Sequence, residues 1–125
     1  MKNLIDRLDI SYFQLKADQT AFEARMDLGP FHAQPQGYLN GGASLAFCEI
    51  SAGMASNELL PEGSFAVGQS ISAHHLRPKK AQGYLLAQGQ LLHAGKHSQT
   101  WEIHLYDDSQ KLISQATVTN AIISK

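Results

Sequence analysis

The 125-residue sequence has one cysteine, Cys48, so no disulfide can form within the chain. No apolar run is long enough to span a bilayer, and the first residues mix Lys2, Asp6, Arg7 and Asp9, unlike a secretion signal. Cytoplasmic is therefore the expected location, with no membrane partner. Charge is also scarce: 17% of residues are charged and the formal net charge is -1. That balance offers no general attraction to a polyanion and excludes a nucleic-acid partner as an expectation. So few charges also suggest that part of the surface is covered by another subunit. Glycine patterns of phosphate loops and dinucleotide folds are absent.

What is present is enough for one core. With 43% hydrophobic residues the chain is too apolar for disorder, and its length suits a single domain over 1–125 that buries roughly two thirds of its unfolded surface. Lys2 to Leu8 has room for one helical turn. Leu8 to Leu15 and Thr20 to Leu28 read as strands paired in a hairpin around Ala17-Asp18-Gln19. In the second, Phe22, Ala24, Met26 and Leu28 alternate with Ala21, Glu23 and Arg25. Gly29 to Tyr38 is a loop by its glycines and prolines, yet it carries His32, Gln34 and Gln36.

Asn40 is a good helix cap, and Leu45, Cys48, Ala52, Ala55 and Leu59 recur at helical spacing over Gly41 to Leu60. Small residues lie on nearly every side of this helix, which predicts close approach by a surrounding sheet. Four further strands are predicted, at Phe65 to Arg77, Gly83 to His93, His97 to Tyr106 and Lys111 to Ile123, the last three forming a meander. The expected fold class is α+β, one long helix against an antiparallel sheet of about five or six strands.

Several residues in this frame could do chemistry. Two glycines behind the Asn40 cap leave backbone N–H groups open at the positive end of the helix, where an anion or developing oxyanion is stabilised. The same three residues serve equally as a tight turn. Glu49 sits mid-helix among small and apolar neighbours, where a carboxylate is costly unless it has a task. A solvent-facing Glu is the plainer alternative. His74 and His75 are adjacent in a strand and point to opposite faces, and no Cys or carboxylate stands at ligand spacing, so no metal is expected. Cys48 lacks an activating neighbour and reads as packing.

The segments Gln34-Pro35-Gln36-Gly37-Tyr38-Leu39-Asn40-Gly41-Gly42, Glu49, Val67-Gly68, Ala73-His74-His75-Leu76-Arg77-Pro78 and Leu92-His93-Ala94-Gly95-Lys96 taken together are specific. In these the chain resembles the hotdog-fold acyl-CoA thioesterases of the phenylacetate-degradation and 4-hydroxybenzoyl-CoA type, including the enterobactin proofreading and dihydroxynaphthoyl-CoA thioesterases.

The resemblance implies a catalytic set. Gly41 N–H would meet the thioester carbonyl with Gln34 and Asn40 nearby, Glu49 would act as base or nucleophile, and His75 would orient water. It implies no cofactor beyond the coenzyme A ester used as substrate. Gly42, Met54, His74, Arg77, Lys79, Lys80, Lys96 and His97 are the candidates for holding that ester, the cations on its phosphates. Gly41 and Glu49 are eight residues apart, roughly 12 Å along one helix, too far to meet on one carbonyl. A homodimer with shared sites is therefore expected, and with the resemblance goes the expectation of a homotetramer.

The sequence departs from the family pattern at two places in the site. Asn40 stands where these relatives usually carry His, and Gly53 where a Ser or Thr commonly follows the carboxylate. Asn40 can donate a hydrogen bond but cannot take a charge, and Gly53 offers no side-chain donor. A non-catalytic acyl-thioester binding protein is thus the alternative from another class. A hydratase or dehydratase of the same fold is a lesser one, since its His motif is missing.

Overall fold

The computed structural model describes residues 2–125. A short helix α1 (Leu4–Leu8) is held by a reciprocal cap between Asn3 and Asp6 and ends at Asp9, which takes a left-handed conformation with φ 62°. That turn starts strand β1 (Ile10–Leu15) two residues later than the sequence pattern predicts, and β2 (Ala21–Asp27) pairs with it antiparallel. After a single turn of 3-10 helix at Pro30–His32 comes the long helix α2 (Gly41–Leu59). Strands β3 (Ser64–His75), β4 (Tyr84–Ala94), β5 (Ser98–Asp107) and β6 (Leu112–Ser124) follow.

All pairings in the six-stranded sheet are antiparallel, in the order β1-β2-β4-β5-β6-β3. The predicted meander is β4-β5-β6. Helix α2 touches every strand, which requires the sheet to curve around it. This is the hotdog arrangement.

Strict alternation puts one face of each central strand against the helix. On β2 these are Phe22, Ala24 and Met26, and on β5 Trp101, Ile103 and Leu105, all essentially without solvent contact. Phe22 and Trp101 meet edge to face at 5.2 Å between ring centroids. A Cβ on Gly89 of β4 would overlap the Phe22 ring, so the glycine makes room for it.

From the helix side, Phe47, Cys48, Ala52 and Ala55 enter the core together with Ser44, Ser51 and Ser56. The buried serines suit a tightly gripped helix because they are small. Ser56 also accepts hydrogen bonds from Trp101 Nε1 at 2.8 Å and Asn120 Nδ2 at 3.0 Å, pinning α2 to two strands at once.

Strand β3 lies at the sheet edge beside β6, with a bulge between Gly68 and Ser70. Near its start the Asn57 side chain bridges helix and strand. Its Nδ2 donates to the Gly53 carbonyl at 2.8 Å, and its Oδ1 accepts from Ala66 N–H at 2.9 Å.

Candidate active site

The N-terminus of α2 opens into a cleft of about 630 Å³. Its floor is Gly41 and Ser44, one wall is the loop carrying Gln34, Gln36, Tyr38 and Leu39, and the other is the end of β3 with the following Leu76-Arg77-Pro78-Lys79, backed by Ile113 and Ser114. The two loops are joined backbone to backbone, Leu39 N–H to the Lys79 carbonyl at 2.7 Å and Ala81 N–H to the Gly37 carbonyl at 3.0 Å. His32, buried beneath, fixes the first loop. Its Nδ1 accepts from Gly29 N–H at 3.0 Å, so its Nε2 carries the hydrogen and donates to the Leu8 carbonyl at 2.7 Å.

Of the predicted catalytic residues, Gln34, Gly41 and His75 meet in this cleft. The contact between Gly41 and His75 is close: a Cβ on Gly41 would stand 2.8 Å from His75 Nε2. Only glycine lets the ring lie against the helix start. His75 is oriented from behind by Ser114, with Nδ1 and Oγ 2.9 Å apart. Ser114 and Ser44 belong to the site and are missed by sequence reasoning, since isolated serines carry no pattern.

The helix start needs one correction, and the Asn40 cap is present as expected. Gly42 does not offer a free donor, because its N–H is taken by Asn40 Oδ1 at 2.9 Å. Among the described residues only Gly41 N–H stays open, the first of the orphan donors, at the positive helix end. Asn40 is thus a cap by its oxygen, which leaves only its Nδ2 for a ligand.

Glu49 lies elsewhere. It is exposed, not enclosed among apolar neighbours as its sequence context predicts, because its side of α2 faces away from the sheet's interior. Its carboxylate leans on Gly68 of β3, where a Cβ would come within 2.8 Å of the carboxyl carbon. None of the cleft's lining belongs to it. The separation expected from helix geometry is present in the fold.

The proposed ligand-holding residues divide between the same two places. Arg77 and Lys79 line the cleft, though the Lys79 side chain is only 9% exposed and its ammonium is paired with Asp108 at 3.2 Å. Lys96 and His97 form the β4–β5 hairpin, at the end of the sheet where Ser98 pairs Ala121 and where Glu49 and Gly68 sit. Met54 follows Glu49 on the helix, half-buried. Lys80 is bridged to Tyr38 outside the cleft lining. His74 turns to the outer sheet face, with Nδ1 3.2 Å from Gln115 Oε1. Burial pushes the Cys48 thiol up to about 12, so it forms no thiolate near neutrality.

Residues 36–114 match the thioesterase superfamily, and the chain belongs to it; it is a thioester hydrolase of the acyl-CoA thioesterase kind. The proofreading thioesterase EntH of Cronobacter turicensis is 36% identical over 96% of this chain and 85% of its own length. The 1,4-dihydroxy-2-naphthoyl-CoA hydrolase of Listeria monocytogenes is 35% identical over 74% of each chain.

Among solved structures, yhdA from Lactococcus lactis, described as a candidate thioesterase, is 52% identical with a TM-score of 0.96 over 99% of this chain and all of that one. SAV0944 from Staphylococcus aureus has been solved with alanine in place of a glutamine and, separately, of a glutamate fifteen positions further on. The two structures are 25% and 26% identical to this chain, with TM-scores of 0.87 and 0.88, over 97% and 98% of this chain and 98% and 100% of those.

Proposed function

We propose that the protein hydrolyses an aromatic or medium-chain acyl-CoA thioester in a site shared by two copies of the chain, with Glu49 of one copy serving the cleft of the other. The observation that carries this reading is the split site. The cleft holds a free N–H at a helix start and a positioned histidine but lacks the Glu49 carboxylate, which stands exposed beside the unpaired sheet edge β3. A second copy added at that edge would bring its carboxylate to the cleft.

In the shared site Gly41 N–H polarises the thioester carbonyl, helped by Gln34 and the Asn40 amide. Glu49 from the partner drives attack, either by taking a proton from water or by adding to the carbonyl itself, and His75 orients the water. Arg77 and Lys79 of one copy with Lys96 and His97 of the other supply cations for the coenzyme A phosphates. Gln34 and Glu49 stand fifteen residues apart, the spacing of the pair replaced in the staphylococcal relative, which supports giving both a role. A dihydroxynaphthoyl ester is one candidate substrate, by similarity to the Listeria hydrolase. The tetramer would pair two such dimers. Among the described residues no helix is long and apolar enough to cross a membrane. Action in the cytoplasm is part of the proposal.

Thiol release from a panel of aromatic and aliphatic acyl-CoA esters tests this. Glu49→Gln is expected to lower kcat by about a hundredfold or more while folding normally. Unchanged turnover in Glu49→Gln removes the mechanism, and no release from any ester by the unmodified protein favours an acyl-thioester binding role.

A further inference from the structure

We infer that Asn57 is a positioning residue: it stops the free edge of β3 at Ala66, and so sets the register in which two copies pair and the place where the partner's Glu49 arrives. This rests on the shared-site reading. An edge strand presents unpaired backbone groups to any added strand. On β3 one of these is already used, since Ala66 N–H donates to Asn57 Oδ1 at 2.9 Å while Asn57 Nδ2 is held by the Gly53 carbonyl at 2.8 Å. The amide fills the space that an incoming carbonyl would need. At the other end β3 stops at His75, after which Leu76 and Arg77 both turn their N–H groups back to the Ile113 carbonyl.

The next outward-facing group after Ala66 is at Gly68, so the available edge runs from Gly68 to His75, and with the bulged Gln69 counted out its midpoint is Ser72. Two identical strands related by a two-fold axis use the whole of that run only when the axis passes Ser72. Gly68 then lies opposite the partner's His75. Glu49, whose carboxylate rests on Gly68, is delivered within a residue or so of the partner's His75, and hence to its cleft. A slip of two residues, the smallest that keeps side chains on their own faces, would carry the carboxylate about 7 Å along the strand and out of hydrogen-bonding reach. With Asn57 absent, the run extends back toward Ser64 and its midpoint moves.

Asn57→Leu removes both hydrogen bonds at similar size, and Asn57→Asp keeps the acceptor for Ala66 N–H. Since Cys48 is buried, a cysteine placed at Ser72 reports the register: an axis at Ser72 sets it against its own copy across the interface. Mild oxidation should trap this pair as a covalent dimer in the otherwise unmodified protein and in Asn57→Asp, and far less in Asn57→Leu. Asn57→Leu should lose about tenfold or more in kcat, with KM rising as well because the partner's Lys96 and His97 shift together with its Glu49. Asn57→Asp should recover most of it.

Three results overturn the inference. One is a dimer by sedimentation in which Ser72→Cys does not trap; another is an Asn57→Leu protein that traps and turns over like the parent. The third, a fully active monomer, overturns the shared-site reading as well. If Asn57→Leu does not fold, Asn57→Ala and the trapping in the parent protein decide.

Discussion

A methyl group on Gly41 would meet His75 Nε2 at 2.8 Å, so Gly41→Ala must displace the ring or tilt the first helical turn. Either movement spoils the only open N–H at the helix start. We expect Gly41→Ala to lose about a hundredfold to a thousandfold in kcat, the range for loss of an oxyanion donor, while the melting temperature falls modestly. Gly53 is the opposite case, for a Cβ there meets nothing within 4 Å. Gly53→Ala should raise stability by about 0.5–1 kcal/mol, read as a higher denaturant midpoint. An unchanged or lower midpoint would mean that the gap over Gly53 is not free space. The glycines and the Gln34 loop were visible in the sequence because their residue types are unusual where they stand. The exposure of Glu49 was not, because neighbours along a helix do not reveal which side of it the sheet leaves open.

At the level of elements, β2 and β5 were legible from alternation alone, since each covers the helix with one face. The edge position of β3 was not legible. Its pairing with β6 joins residues far apart in sequence, and no local pattern records such a partner. The outer face of the sheet carries a polar network of its own. Burial pushes Glu102 up, but hydrogen bonds from Gln115 and Thr117 and the adjoining His104 outweigh it and hold its carboxyl below the usual glutamate range. A carboxyl depressed by folding contributes stability that is present above its unfolded value and is lost as pH falls through the folded one. The melting temperature should therefore drop on acidification through that region. Glu102→Gln should flatten the drop, measured by thermal melts across the acid range.

For the molecule as a whole, sites divided between two chains make a specific demand on mixtures. Gly41→Ala damages the cleft and Glu49→Gln the carboxylate, so a hybrid of the two holds one intact site and one doubly damaged site. Refolding an equal mixture should recover about a quarter of the parental activity, from two inactive preparations. Recovery no greater than the sum of the separate preparations would place both residues in one chain's site.

The lone thiol of Cys48, sealed in the core and undissociated near neutrality, bears on the reaction in a further way. Each turnover of a thioester hydrolase sets free a thiol at its own surface. A protein with an accessible thiolate would be open to mixed disulfides with its accumulating product, whereas the one thiol of this chain is out of reach of that exchange.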